Sequence, residues 1–482
     1  MIDLRPVGYV IGLLVAVLGG AMLLPLALDI SLANGHWPAF AEAAIVTGLG
    51  GGFLALACAS GVGRRLTLQQ TFLITTAVWA VLPLFGSIPF MVGATQASFT
   101  DAYFEAISGL TTTGATVFTG LQDLPAGLLL WRGLLQWMGG IGIVVVAMVF
   151  LPELRVGGMQ IFRTEAFDTF GKILPRAGEI AGRISVIYVA LTGACAVAYY
   201  GLGMSVFDSI VHAMTTLSTG GFANTDASLG AYDRSVEYVA TVFMILAALP
   251  FARYVQLMGG SFRPLWADVQ VRGFLWTLGA IVLGLAAWRW WRDQGHPEAM
   301  LRETLFNVTS IITGTGFASE DYMTWGPLAV AAFFFVGLIG GCAGSTSCSV
   351  KIFRYQLLLA SIRAQIRRIH RPHGVFQPRY DGRPIGPDVM SSVMAFFSIF
   401  TVSVGLLSVA LSMTGLDTIT AVSGAATALA NIGPGLGPEI GPAGNFQGLN
   451  PTAKWLLAAG MLVGRLEVLT VLVILTPAFW RT

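Results

Sequence analysis

Four short segments of this sequence share one pattern, and each runs into a glycine turn between long apolar stretches. Aligned on Gly114, Gly221, Gly316 and Gly433, they read ISGLTTTGAT (107–116), MTTLSTGGFA (214–223), TSIITGTGFA (309–318) and TALANIGPGL (427–436). In the first three segments a hydroxyl residue lies three positions before the glycine and an acid thirteen before it: Thr111, Ser218, Thr313 and Asp101, Asp208, Glu303. The fourth segment lacks both features. Fourfold repetition of a short helix and a glycine turn predicts that the turns surround a common axis.

The composition indicates whether these segments lie in water or in a lipid bilayer. Apolar residues make up 55% of the 482 residues and charged residues only 11%, so charge is too scarce to cover a soluble protein of this size. About twenty apolar residues suffice to cross a bilayer as a helix. Ten spans are predicted, near 7–29, 40–60, 71–93, 128–151, 184–203, 236–258, 273–291, 327–342, 390–413 and 455–478. The first is expected to be a retained span, because it is too long for a signal-peptide core.

The short segments between the spans define the predicted fold class. We expect an all-α polytopic membrane protein with four pseudo-symmetric repeats of helix, pore helix, filter loop and helix around a central pore, preceded by an N-terminal two-helix unit. The predicted ranges are 1–66 for that unit and 67–160, 161–265, 266–384 and 385–482 for the repeats. The third repeat also carries a predicted gating loop at 340–350 and a basic cytoplasmic segment.

Lysines and arginines predict the orientation of the chain. They mark alternate connections, from Arg64 and Arg65 to the cluster between Lys351 and Arg383, and such residues favour the cytoplasmic side. All four glycine turns then lie on the outer side. Three arginines run against this trend: Arg289, Arg292 and Arg302.

Backbone carbonyls at the turns are the expected cation ligands. A ring of carbonyl oxygens can replace the water shell of a cation, and glycine permits the backbone angles that this requires. A short helix that ends at the turn directs its negative dipole end at the ion, and the acids are expected to cap the starts of these helices. The predicted ion-binding residues are Thr112, Thr113, Gly114, Thr219, Gly220, Gly221, Gly314, Thr315, Gly316, Asn431, Ile432 and Gly433.

A simpler interpretation makes these glycines helix-packing positions, since 59 glycines create many chance G-x-x-x-G patterns. Packing, however, requires no common register of hydroxyls and acids upstream. The pattern therefore favours a pore.

The turn sequences TTTGAT, STGGFAN, TGTGFAS and NIGPGLGP resemble those of TrkH/TrkG-type potassium uptake proteins, in the superfamily that includes the KtrB and HKT transporters. GGCAGSTSCSVKIFR (340–354) and GRLEVLTVLVILTPAFW (464–480) extend the resemblance over the whole chain. It implies a potassium-selective filter at the four glycines, with Gly114 favouring potassium over sodium. It also implies a homodimer in the bacterial inner membrane with a cytosolic, TrkA-like nucleotide-binding partner. One departure is Ser347-Cys348-Ser349, where relatives are often richer in glycine.

Two features within the apolar spans predict a barrier to flux. Arg465 lies far from both ends of the last span, where a charged side chain must face protein or water. We expect it in the permeation path below the filter, a role that the resemblance also implies; the alternative is a side chain that snorkels to an interface. Residues 340–349 interrupt another span, which is tolerated only beside a cavity or protein; the alternative is a simple helix break. The predicted gate residues are Arg465, Gly340, Gly341, Gly344, Ser345, Thr346, Ser347, Ser349 and Lys351.

The segment 361–384 is basic and predicted to be cytoplasmic. Such segments fix topology or contact anionic membrane lipid, and the resemblance implies that the regulatory partner docks here. The chain has no G-x-x-x-x-G-K-[ST] loop, so no cofactor is expected in it. NAD or ATP/ADP is expected only on the partner, K+ is the expected transported ion, and no nucleic-acid partner is expected. The five histidines show no metal-ligand spacing.

Three functions compete. The first is a filter-lined potassium pore that passes ions down their gradient. The second is a proton- or sodium-coupled potassium symporter built on broken helices; the span cores, however, carry few carboxylates beyond Glu467 to serve proton coupling. The third is an intramembrane enzyme, which needs an assembled set of catalytic side chains. No such set is visible in the sequence, so no enzymatic activity is expected.

Overall fold

The structure is a computed structural model that describes residues 2–61, 66–149 and 177–481. The predicted domain boundary at 160/161 and the basic residues Arg64 and Arg65 lie outside these ranges. Within them, seven helices are long and apolar enough to cross a membrane: Arg5–Ser31 (with a break near Met22), Trp37–Ala57, Leu68–Val92 (broken near Ser87), Ala126–Val149, Ala177–Gly201, Val269–Asp293 and Pro387–Met413.

Two further pairs of helices are apolar enough to cross a membrane but are bent, as in a broken span or a re-entrant loop. Arg234–Ala247 meets Phe251–Met258 at 90°, and Pro451–Arg465 meets Val468–Leu475 at 105°. Each pair was predicted as one span, at 236–258 and 455–478. The first bend falls at Pro250, and the second at Glu467, whose φ is +62°. The predicted span 327–342 is also shorter than expected, because its helix covers only Pro327–Gly337.

Four short helices end at the glycine turns, in the predicted order. They are Phe99–Leu110, Val206–Leu217, Pro297–Thr313 and Thr418–Ala430, here called short helices 1 to 4. The remaining helices of the described ranges are Arg263–Ala267, Ile352–His370, Pro477–Trp480 and the 3-10 turns Ala59–Gly61, Leu121–Asp123, Ser228–Ala231 and Tyr322–Trp325. Ile339–Gly340 pairs in parallel with Val350–Lys351, and Arg379–Tyr380 pairs antiparallel with Arg383–Pro384.

The starts of the short helices differ from the prediction. Short helices 1 and 2 are capped by Ser98 and Ser205, whose hydroxyls accept hydrogen bonds from the backbone N–H of Asp101 and Asp208. The acids thus lie at the third helical position, where they still face the positive end of the helix dipole.

The third and fourth copies depart further from that register. Glu303 lies inside short helix 3, which begins at Pro297, so it caps nothing. Short helix 4 does start at an acid, because Asp417 accepts hydrogen bonds from the N–H groups of Ile419 and Thr420. The fourth copy does lack an acid thirteen positions before its glycine, but it carries one three positions earlier, at the cap itself.

Close glycine packing occurs in the N-terminal unit. A Cβ atom on Gly12 would lie 2.5 Å from the Ala55 nitrogen, and one on Gly51 would lie 2.4 Å from the Ala16 nitrogen. Small residues allow helix backbones to approach this closely in a membrane. The packing role considered for the turn glycines thus belongs to this helix pair, Arg5–Ala21 against Trp37–Ala57.

The three arginines that run against the charge trend all have acidic partners. Arg289 Nη2 lies 2.9 Å from Glu303 Oε2, Arg302 contacts Glu237 and Glu298, and Arg292 pairs with Asp293. Arg289 also stacks on the Trp325 ring, with its guanidinium carbon 3.7 Å from the ring centroid. Pairing offsets the desolvation cost of the buried Arg289 and Arg302, whereas Arg292 is exposed, which explains how the three are tolerated at this end of the helices. The predicted fold class, an all-α polytopic membrane protein, is confirmed.

Candidate ion-binding site

Each turn glycine faces a carbonyl oxygen of the next turn, and the series closes on itself. A Cβ atom added to any of the four would lie within 2.7 Å of that oxygen. From glycine to oxygen, the contacts are Gly114 to Gly220 (2.2 Å), Gly221 to Thr315 (1.9 Å), Gly316 to Ile432 (2.1 Å) and Gly433 to Thr113 (2.7 Å). The four oxygens belong to the residues that directly precede the glycines. Residues more than three hundred positions apart thus form one ring, which leaves no room for a side chain at any of the four glycines.

The four turns share one backbone conformation although their sequences differ. The glycines have φ of +76° to +106°, and the residues two positions earlier (Thr112, Thr219, Gly314 and Asn431) have φ of +51° to +76°. Three of these earlier residues carry side chains, which makes the left-handed conformation costly by roughly 1–2 kcal/mol each. Surrounding contacts must hold such residues in place.

A common helix stop explains this conformation. In every turn the residue two before the glycine donates its N–H to the carbonyl three residues back, and the next residue donates to the carbonyl five residues back. For the first turn these bonds are Thr112 to Gly109 (2.9 Å) and Thr113 to Ser108 (2.8 Å). The other three turns repeat them. This is the Schellman motif, which favours glycine or asparagine at its left-handed position. Gly314 and Asn431 were the sequence signal for it.

Side chains from neighbouring spans support the ring. Gln136 Nε2 donates to the Gly220 carbonyl (2.6 Å) while its Oε1 accepts from the Phe222 N–H (3.0 Å). Asn431 Nδ2 donates to Thr113 Oγ1 (2.9 Å), which joins the fourth turn to the first. Sequence reasoning missed Gln136, although a buried amide within an apolar span is itself a signal.

A buried ion pair lies behind the first two turns. Arg132 Nε is 2.8 Å from Glu105 Oε1, and Arg132 Nη1 donates to the Ala223 carbonyl (2.8 Å). Glu105 also accepts hydrogen bonds from Thr116 Oγ1 and the Val117 N–H. Both side chains are buried, and each nitrogen of the guanidinium and each oxygen of the carboxylate has a hydrogen-bond partner. The pair thus links short helix 1, the first turn and the second turn. This pair was also missed from the sequence.

An open cavity of about 210 Å³ borders the ring and is lined by all four turn glycines, with Arg132 and Asp226 at its wall. We call it the turn cavity. Asp226 accepts hydrogen bonds from the N–H groups of Gly120 and Leu121. The turn cavity therefore connects the ring to an open space whose wall carries polar side chains.

The segment between Gly337 and Ile352, here called the loop, packs against the ends of several helices. It contains the predicted gate residues 340–349, most of them buried. Its Cys342 and Thr346 N–H groups donate to the carbonyls of Ala248 and Ala247, at the bend of the Arg234–Met258 pair. Its Ser349 N–H donates to Ala430, at the end of short helix 4 (2.9 Å). The loop thus satisfies carbonyls that helix ends leave without partners.

Within the loop, the predicted gate residues hold one another. Ser347 Oγ accepts from the Gly341 N–H (2.9 Å), and Lys351 Nζ donates to the Ser347 carbonyl. The parallel pairing of Gly340 with Lys351 closes the loop at its base. Gly344 accepts from the Phe251 N–H (2.9 Å). The remaining predicted residues, Ser345 and Ser349, donate their hydroxyls to Cys342 and Gly337.

Arg465 reaches the loop from the end of its helix. Its side chain is 5% exposed, its Nη1 lies 2.7 Å from Cys348 Sγ, and its Nη2 donates to the Gly139 carbonyl (3.4 Å). Cys348 Sγ in turn lies 3.5 Å from Thr112 Oγ1 in the first turn. A continuous line of contacts therefore joins Arg465, the loop and the ring.

Glu467 lies two residues after Arg465, a separation that predicted no ion pair between them, and the two side chains do not pair in the structure. The chain bends by 105° between their helices, and Glu467 Oε1 lies 2.6 Å from Arg354 Nη2 on the helix that follows the loop. Among the described residues, no group of three His, Cys, Asp or Glu side chains could hold a metal ion. The four carbonyl oxygens that meet the turn glycines are the candidate cation ligands of this site.

Comparison with known proteins identifies the family. The sequence profile of the TrkH family, described as "Cation transport protein", matches residues 36–481. The chain is 49% identical to the Trk system potassium uptake protein TrkI of Halomonas elongata, over 86% of this chain and 84% of that protein. It is 35% identical to the Trk system potassium uptake protein TrkH of Escherichia coli K12, over 99% of each.

A solved structure matches along the full length. The crystal structure of the potassium transporter TrkH from Vibrio parahaemolyticus superimposes with a TM-score of 0.91 at 33% identity, over 100% of both chains. These relatives are transporters and not enzymes. The chain belongs to the TrkH family of cation transport proteins.

Proposed function

We propose that this chain is the pore-forming protein of a potassium uptake system, with the ring of turn carbonyls as its selectivity filter. The closed series of glycine-to-carbonyl contacts carries the proposal, since it brings four equivalent oxygens together at the ends of four short helices. Carbonyl oxygens at such a ring replace the hydration shell of a cation, and the helix ends add partial negative charge. The relatives named for potassium uptake support K+ as the ion.

Four pore repeats, with the ranges predicted from the sequence, would each contribute one turn to this filter. The proposed location is the bacterial inner membrane, with the turns outward and the basic connections in the cytoplasm. This orientation places the turn cavity at the external entrance and the loop on the internal side of the filter.

We further propose that the loop and Arg465 form the gate. Arg465 places a buried positive charge beside the loop and in line with the first turn, where it opposes a passing cation. A cytosolic nucleotide-binding partner would act on the gate through the helix Ile352–His370, which follows the loop directly and carries the first part of the basic segment. The family resemblance supports this partner and a homodimer.

Potassium uptake is tested in cells that lack their own uptake systems. Expression of the chain with a TrkA-type partner is expected to restore growth at low external K+, and expression of a variant with a disrupted ring is not. Failure of the intact chain to restore growth, despite normal membrane insertion, would contradict the proposal.

A passive pore and a symporter differ in their response to a pH or sodium gradient. We expect purified protein in a planar bilayer to give a reversal potential that follows the K+ gradient alone, because the filter ring contains no titratable side chain. A reversal potential that shifts with an imposed proton or sodium gradient, at constant K+, would instead support coupled transport.

Replacement of Gln136 by leucine is expected to lower potassium-over-sodium selectivity. The change removes one hydrogen bond to the Gly220 carbonyl and one from the Phe222 N–H, each worth about 1 kcal/mol. The measurement is the permeability ratio in bilayers, with Gln136→Glu as the comparison, because glutamate retains the acceptor for Phe222. Selectivity equal to wild type in the leucine variant would show that Gln136 does not position the second turn.

A further inference from the structure

The loop borders a second cavity with a surplus of positive charge. This loop cavity has a volume of about 50 Å³ and is lined by Lys351, Arg354, Arg465 and a single carboxylate, Glu467. Glu467 is paired with Arg354. In the part of the chain that the structure describes, Lys351 and Arg465 have no carboxylate within ion-pair distance. Among the described residues, the cavity thus holds two cations without an acidic counterpart.

The contacts of these two cations are neutral. Arg465 touches a thiol and a carbonyl and lies 5.5 Å from the centroid of the Trp79 ring. Its Nε–H has no hydrogen-bond partner among the described residues, although the residue is only 5% exposed. The Lys351 ammonium contacts the Ser347 carbonyl, which uses one of its three N–H donors. Burying a cation without a counter-charge is unfavourable, because the ion loses its hydration without a compensating partner. The partial negative charge of the short-helix ends offsets part of this cost, but on the proposed function the ion in the filter takes up that charge.

The unused N–H donors of Arg465 and Lys351 and the volume of the loop cavity define which kind of ligand would fit. The Arg465 Nε–H and the remaining Lys351 N–H groups can only donate hydrogen bonds, so they suit an acceptor. A volume of about 50 Å³ holds about three water molecules. A halide fits this space, and a large organic anion does not.

We propose that the loop cavity binds a small monovalent anion, such as chloride, at Arg465 and Lys351. The anion neutralises part of the charge that opposes the passage of K+, so its occupancy raises flux through the gate. This consequence rests on the proposed function; binding of the anion does not.

The effect on flux is tested with full-length protein in liposomes. Potassium tracer exchange is measured in symmetrical potassium chloride and in symmetrical potassium gluconate, so that no diffusion potential arises. We expect exchange to be several-fold faster in chloride and to saturate with chloride concentration. Equal rates in the two salts would overturn the proposal.

Variants assign the effect to the cavity. Lys351→Met and Arg465→Gln are expected to lose the dependence on chloride, whatever their absolute rates. Arg263→Gln removes a charge from the exposed start of the helix Arg263–Ala267, and this variant is expected to keep the dependence on chloride. Undiminished chloride dependence in both cavity variants would refute binding at this site.

Binding is tested directly on the unmodified protein. Crystals grown in sodium bromide are expected to show an anomalous scattering peak next to Arg465 and Lys351, and a cavity without a peak in saturating bromide contradicts the proposal. The experiments distinguish a failure of the anion proposal from a failure of the pore proposal. If potassium exchange proceeds at the same rate in chloride and in gluconate, the anion proposal fails and the pore proposal stands. If a bromide peak is found in a protein that passes no potassium, only the pore proposal fails.

Discussion

Replacement of Gly114 by serine is expected to reduce potassium-over-sodium selectivity by about tenfold or more, equivalent to about 1.4 kcal/mol. A Cβ atom at this position would lie 2.2 Å from the Gly220 carbonyl oxygen, and φ is +85°. Both backbones must shift to relieve this contact, which moves one oxygen of the ring away from its place. A smaller, differently hydrated ion then competes better. The measurement is the permeability ratio from reversal potentials in bilayers.

The control separates this contact from the general cost of a side chain at positive φ. Gly203 has φ of +93° but open space around its Cβ position, and it lies in the connection before short helix 2. Gly203→Ser is expected to keep wild-type selectivity. Wild-type selectivity in Gly114→Ser itself, at normal expression and elution volume, would rule out the ring as the filter.

Replacement of Arg465 by alanine is expected to increase potassium flux. For an assumed separation of about 8 Å, a fixed positive charge raises the energy of a passing K+ by about 2 kcal/mol at an effective dielectric constant of about 20, which corresponds to about thirtyfold in rate. Loss of the guanidinium also removes the contact with Cys348 and loosens the loop. Tracer uptake into liposomes, normalised to the amount of reconstituted protein, measures the change.

Arg465→Lys is the matched comparison, because it retains the charge and removes the planar guanidinium. We expect its flux to stay near wild type if charge forms the barrier, and to approach that of the alanine variant if the contact with Cys348 does. A decrease in flux on Arg465→Ala, with normal folding, would exclude the barrier role altogether.

Sequence patterns predicted the features that depend on local chemistry. Apolar stretches long enough for a bilayer located most spans, since only helices satisfy their backbone there. The positions of the four turns followed from the glycine register, and the break at 340–349 from its density of small and polar residues. The bends at Pro250 and Glu467 were missed, because hydropathy is averaged over a window of residues and contains no information on the direction of the helix axis.

The spacing of thirteen residues between acid and glycine predicted the start of only some of the short helices. It located short helices 1 and 2, yet it overlooked Asp417 because an acid can act at the cap or at the third helical position. Glu303 matched the register by position and serves instead as the ionic partner of Arg289.

By itself, the sequence determined the membrane class, the order of elements and the four turns, because these depend on hydrophobicity and on residues close together in the chain. Only the tertiary structure decided that Gly433 meets the Thr113 carbonyl, that Gln136 holds the second turn, and that Glu467 pairs with Arg354 rather than Arg465. These contacts join residues separated by about eighty to more than three hundred positions. No pattern within one segment specifies such a partner; the packing of the spans does.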